Sequence, residues 1–88
     1  MKYKKIDPSK LDIKNIYHLL ISGISPRPIA LVSSQNKNGI NNLAPFSFFN
    51  AFGANPPIIG FSPALSGRTG LPKDTLLNIK EVNEFTVS

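Results

Sequence analysis

The sequence predicts an α+β fold that is mainly β, with two short helices. Apolar residues between positions 13 and 24 recur at i, i+3, i+4 and i+7, which is typical of one helix face. An Asn-Gly pair then separates two strand-like runs and predicts a hairpin. Further short runs of strand length follow, so we expect antiparallel strands with helices packed beside them.

The first helix is expected over residues 10–22. Ser9 and Asp12 have the spacing of a weak capping box, which would make Ser9 the N-cap residue. Gly23 and the nearby Pro26 are typical of the end of a helix.

Residues 27–35 and 40–52 are predicted as the two strands of the hairpin, with Asn38 and Gly39 at its turn. Pro45 lies in the middle of the second strand and cannot donate a ladder hydrogen bond. That strand is therefore expected to be at an edge of the sheet or to bulge at Pro45. Its four phenylalanines suit a flat ligand, but on spacing alone they are better explained as part of a β core.

After the prolines at 56 and 57, the sequence predicts a strand over residues 58–62 and a loop over 63–72. A second helix follows through residue 82, with Asp74 or Thr75 as its N-cap. A final strand is expected to start at residue 84.

Composition excludes several classes of chemistry. The 88 residues include no cysteine and one histidine, so disulfides, thiolate sites and multi-histidine zinc sites are excluded. His18, beside an apolar helix face and without a neighbouring acid, is better explained as a half-exposed residue than as a catalytic base. Residues 13–73 contain five cations and no Asp or Glu, which excludes paired-carboxylate catalysis there.

The net charge of +5 and the acid-free stretch favour an anionic ligand such as a phosphate group. The start of the second helix could bind one, because Lys73 and Thr75 flank it and Arg68 precedes it. An ordinary helix after a flexible loop explains the same residues without a ligand. Five cations over 61 residues do not form a basic stripe, so we expect no nucleic-acid partner.

The length permits one domain at most. No apolar run approaches the roughly 20 residues of a membrane span, and no signal-peptide core follows the charged start. We therefore expect a cytoplasmic protein with no membrane partner.

Four segments together resemble the flavin reductase-like, FMN-binding split-barrel family of the flavoredoxin type. They are YHLL followed by PRPIA (17–20 and 26–30), NLAPFSFFN (42–50), NPP (55–57) and KDTLLNI (73–79). The resemblance implies an antiparallel Greek-key split barrel and a homodimer with FMN at the subunit interface. Because members of this family are much longer, residues 1–88 are expected to be the N-terminal portion of one such domain.

The resemblance also implies the site. Asn42, Ala44 and Pro45 match the segment along the isoalloxazine edge, and Ser47, Phe48 and Phe49 match the part that holds the ribityl chain and phosphate. Lys73, Asp74 and Thr75 match the phosphate-side loop. The implied activity is hydride transfer from NAD(P)H to bound flavin, which supplies the redox chemistry itself. A non-catalytic flavin-binding protein and an inactive fragment that needs a partner chain remain alternatives.

Overall fold

A computed structural model describes residues 3–65 and 69–88. Its elements are a 3₁₀ turn at Pro8–Lys10, followed by α1 (Ile13–Gly23), β1 (Ala30–Gln35), β2 (Asn41–Phe46), β3 (Phe49–Ala54), β4 (Pro57–Phe61), α2 (Asp74–Val82) and β5 (Thr86–Val87). All observed strand pairs are antiparallel, which confirms the predicted α+β class. No helix in the described ranges is long and apolar enough to cross a membrane.

The start of α1 differs from the prediction. Asp12 is the N-cap, and its side chain accepts a hydrogen bond of 2.8 Å from the Asn15 backbone N–H. Ser9 instead lies in the 3₁₀ turn, where its hydroxyl and its backbone N–H both donate to the Asp7 carboxylate. Those two hydrogen bonds, the hydroxyl one first, lower the pKa of Asp7. Ser9 is not the helix cap because its side chain serves the preceding turn.

The predicted hairpin is confirmed, with a longer turn than expected. The Asn36 carbonyl accepts from the Gly39 N–H, and the Asn36 N–H donates to the Ile40 carbonyl. Gly39 has a φ of +78°, whereas Asn38 keeps a negative φ. This is the pattern of a three-residue loop closed by a glycine in the left-handed region, rather than of a two-residue turn.

The strand predicted over residues 40–52 is two strands, because the chain leaves the first sheet at Ser47 and Phe48. Pro45 lies in regular register opposite Leu31, so the strand does not bulge there. The edge position expected for Pro45 is confirmed, since β2 is an outer strand of its sheet. The register shift occurs instead between Ala51 and Gly53 of β3.

The strands form two separate sheets, one in the order β2-β1-β5 and the other a β3-β4 hairpin. The described residues do not close them into a barrel, so the Greek-key split barrel stays a prediction of the resemblance. The inner face of β1 carries Ala30 and Val32, which are the buried apolar residues of the described chain. Helix α2 packs over this face and over β2.

Polar contacts hold α2 on the sheet. Asn78 and Thr75 are buried on one face of the helix, three residues apart. The Asn78 Nδ2 donates to the buried Ser34 Oγ at 3.2 Å, and the Asn42 Nδ2 donates to the Thr75 Oγ1 at 2.8 Å. Buried polar atoms are costly when they lack partners, so these pairs specify how α2 is placed on the sheet.

We expect Asn78→Leu to lower the free energy of unfolding by about 1–3 kcal/mol, because it leaves the Ser34 hydroxyl buried without its donor. Urea denaturation followed by circular dichroism measures this loss. The exposed Asn15 offers the matched control, Asn15→Leu, which should change stability much less. Equal losses in the two variants would mean that the Asn78–Ser34 pair does not stabilise the fold.

Candidate functional site

Six of the nine residues predicted to form the site line one groove. This β2–α2 groove has a volume of about 480 Å³ and lies between the inner face of β2 and the start of α2. The predicted residues that line it are Asn42, Ala44, Pro45, Lys73, Asp74 and Thr75, together with Phe46, Pro63 and Ala64. The two segments, about 30 positions apart in sequence, thus meet at one site.

The alternation of β2 explains why its residues face the helix. Asn42, Ala44 and Phe46 are the less exposed positions of the strand, whereas Asn41, Leu43 and Pro45 are exposed. The Asn42 amide is held by the Thr75 hydroxyl, which is 2% exposed. This hydrogen bond joins the ring-side and phosphate-side segments of the predicted site.

The start of α2 is not capped by a side chain. Lys73 is the N-cap residue, with no side-chain hydrogen bond, so the prediction of Asp74 or Thr75 as the cap was wrong. The Thr75 hydroxyl is used by Asn42 instead. The first N–H groups of a helix have no partner within it, and Lys73 adds a positive charge beside them.

These groups fit a ligand that carries both a phosphate and a flat polar ring. The uncapped helix start and Lys73 suit the phosphate. Along β2, the side away from β1 carries no strand in the described ranges, so backbone groups there can pair with the edge of a heterocycle. The Asp74 side chain is acidic and does not suit a phosphate, which leaves its backbone N–H as the usable donor.

The other three predicted site residues lie elsewhere. Ser47, Phe48 and Phe49 line a second groove of about 640 Å³, which we call the Arg27 groove. Its other lining residues are Ile24, Pro26, Arg27, Pro28, Asn50, Phe52, Gly60, Phe61 and Ser62. The structure therefore does not bring these three residues together with the β2–α2 groove.

Arg27 is the residue that sequence reasoning missed as a site residue. Its guanidinium carbon lies 5.1 Å from the centre of the Phe48 ring. The signal was present in the sequence, because Arg27 is one of five cations in a stretch without any carboxylate. What the sequence could not indicate is the placement of this cation over an aromatic ring.

Neither groove is lined by His18, the single histidine of the chain. His18 is exposed, and its ring meets that of Tyr17 edge-on at 5.8 Å. Arg68, predicted as part of an anion site, lies outside the described residues. Within the described ranges, no three His, Asp or Glu side chains are grouped so that they could hold a metal ion.

Comparison with known proteins identifies the family to which this fold and site belong. Residues 22–88 match the model of the flavin reductase like domain, and the chain belongs to this family. It is 48% identical over 85 residues to an uncharacterised protein of Halalkalibacterium halodurans, covering 94% of this chain and 39% of that protein. It is 40% identical over 78 residues to the uncharacterised protein YwrF of Bacillus subtilis, covering 89% and 37%.

Two solved structures are similar to it. Nitrilotriacetate monooxygenase component B from Bacillus cereus has a TM-score of 0.83 and 41% identity, with 99% of this chain and 42% of that one covered. The Pseudomonas fluorescens 2-nitrobenzoate 2-nitroreductase NbaA has a TM-score of 0.73 and 39% identity, covering 96% and 39%. The chain thus spans about two fifths of the length of the relatives and structures it matches.

Proposed function

We propose that the chain is part of an FMN-binding oxidoreductase that passes a hydride from NAD(P)H to bound flavin. The observation that carries this proposal is the β2–α2 groove, where Asn42 and Ala44 meet Lys73 and Thr75. Membership of the flavin reductase like family supports a flavin as the ligand. The names of the two similar structures, a monooxygenase component and a nitroreductase, support redox chemistry.

In this proposal the predicted site residues that line the groove divide the binding of FMN among them. Lys73 and the N–H groups of the first turn of α2, including that of Asp74, hold the phosphate. The backbone at Ala44 and Pro45 binds the edge of the ring system. Thr75 orients the Asn42 amide, because its hydroxyl accepts the Asn42 Nδ2 hydrogen bond. The bound flavin would supply the redox chemistry.

The remaining expectations belong to the same proposal. Residues 1–88 would form the N-terminal portion of a single domain, and the homodimer of the family would place FMN at the subunit interface. We propose a cytoplasmic location, with nicotinamide and flavin as small-molecule partners. For Ser47, Phe48 and Phe49, contact with the flavin rests on the family resemblance alone.

The test is a titration of the purified chain with FMN, followed by fluorescence quenching, and an assay of NAD(P)H oxidation with FMN added. Ala44→Phe fills the groove and should weaken FMN binding severalfold. The exposed Ala51 of β3 lines neither groove, so Ala51→Phe is the matched control and should leave binding unchanged.

The outcomes separate the alternatives. Binding without NAD(P)H oxidation would favour a non-catalytic flavin-binding protein. No binding by the chain alone would favour a fragment that needs a partner chain. FMN binding that is equally strong in the Ala44→Phe variant would contradict the placement of the ligand in the β2–α2 groove.

A further inference from the structure

The Arg27 groove contains a cation whose charge is not matched by an acid. Among the described residues the ion pair present is Lys37–Glu81, at 3.6 Å, and it lies elsewhere. The acid-free stretch from 13 to 73 provides no carboxylate near Arg27 in sequence. Among the described residues, Arg27 thus has no carboxylate partner, which leaves its guanidinium able to pair with an anion.

The hydrogen-bonding capacity of Arg27 is also largely unused. Its Nη1 makes a long contact of 3.5 Å with the Ile24 carbonyl oxygen. Its Nε is shielded from solvent and has no acceptor in the described part of the chain. A buried N–H group without an acceptor lowers the stability of the fold. Binding of a ligand whose acceptors pair with the guanidinium N–H groups, after the guanidinium turns toward it, would remove that cost.

Aromatic contacts hold the guanidinium in the groove. Arg27 lies over the Phe48 ring, and the Tyr17 ring meets Phe48 edge-on at 6.2 Å. Across the groove, Gly60 makes room for the Phe52 ring, because a Cβ atom at Gly60 would lie 2.8 Å from a ring carbon of Phe52. The guanidinium thus lies against a largely aromatic and apolar lining.

This lining selects the kind of anion. Apart from Arg27, the groove has three neutral polar side chains, on Ser47, Asn50 and Ser62, and the rest is apolar except for Gly60. A phosphate dianion carries two negative charges, whereas Arg27 is the one charged side chain among the described residues that line the groove. A planar carboxylate on an aromatic ring matches the guanidinium fork with its two oxygens, and its ring matches the apolar walls.

We propose that the Arg27 groove binds the carboxylate of an aromatic acid. This goes beyond the proposed flavin function and does not depend on it. The groove is a neighbour of the β2–α2 groove, because Phe46 of the β2–α2 groove and Phe61 of the Arg27 groove have ring centres 4.9 Å apart.

Isothermal titration calorimetry of the 88-residue chain tests this, with benzoate as the probe and benzamide as its neutral analogue. We expect benzamide to bind at least about tenfold more weakly than benzoate, because it has no negative charge and offers the guanidinium one acceptor oxygen instead of two. Arg27→Gln should reduce benzoate binding to the level of benzamide. Lys14→Gln, which removes the same charge from an exposed site on α1, should leave benzoate binding unchanged.

Several results would overturn the proposal: no binding of benzoate, equal binding of benzoate and benzamide, or equal binding by wild type and Arg27→Gln. Displacement of benzoate by FMN or by inorganic phosphate would make the groove a phosphate site instead. If Arg27→Gln loses its circular dichroism signal, Arg27→Lys decides. This variant keeps the positive charge but loses the two-pronged donor geometry of the guanidinium, so an unchanged benzoate affinity would count against the proposal. Failure of FMN to bind with benzoate binding retained would affect the proposed function alone.

Discussion

In sedimentation experiments the 88-residue chain by itself is expected to self-associate rather than to behave as a 9.6 kDa monomer. Its accessible surface is 7344 Å², against about 5,100 Å² for a folded monomer of this mass. Its radius of gyration is 16.0 Å, against about 12 Å for a compact chain of this length. Both values indicate a chain that is less compact than a folded monomer of its size.

The exposed apolar side chains are numerous enough to determine whether the chain is stable as a monomer. Phe52 is 69% exposed, Leu43 is 63% exposed and Ile59 is 54% exposed. Fully burying one such side chain contributes about 1.5–3 kcal/mol, so leaving two or three uncovered removes an amount comparable to the ~5 kcal/mol of a marginal domain. Association would cover them, and so would a separate chain that corresponds to the remaining part of the longer relatives.

A matched pair of variants tests which surface associates. Ile59→Lys places a charge on β4, an outer strand in the described structure, and should weaken association because charged edges resist pairing. Ile13→Lys changes an equally apolar residue, 87% exposed at the start of α1, and should have less effect. A cooperative thermal melt from a monodisperse monomer would show that these residues form a complete core without a partner.

The second large effect is expected on binding of the FMN phosphate. Lys73→Ala is expected to weaken FMN binding by about 10- to 150-fold, the range for losing a hydrogen bond to a charged group. Because Lys73 is exposed, we expect the lower part of that range. Riboflavin lacks the phosphate, so its binding should hardly change.

Fluorescence titration of both flavins against both proteins measures this difference. Lys80→Ala is the control, since Lys80 is exposed in the last turn of the same helix and outside the β2–α2 groove. Equal losses of FMN and riboflavin binding in Lys73→Ala would contradict the assignment of Lys73 to the phosphate.

The sequence alone was sufficient to predict those features that depend only on residues close together in the chain. The spacing of apolar residues predicts α1 to within three residues of its observed start, and the glycine at position 39 marks the hairpin turn. The acid-free stretch favours an anionic ligand, which stays a prediction. The NLAPFSFFN and KDTLLNI segments indicate the family, and the match over residues 22–88 confirms the family. Periodicity, turn preference and charge are properties of neighbouring residues, so they can be interpreted without the fold.

Only the tertiary structure decided which of those residues meet. The Thr75 hydroxyl could cap α2 or serve another residue, and the approach of Asn42 from β2 determines that it serves Asn42. The aromatic segment could continue as one strand, but it leaves the first sheet at Ser47, and Phe48 comes to lie under Arg27. The partner of Thr75 and the end of β2 both depend on contacts between segments up to 33 positions apart. The local preferences of these residues are compatible with either partner and with one strand or two. The predicted site therefore divides into two grooves for a reason that lies in packing between elements.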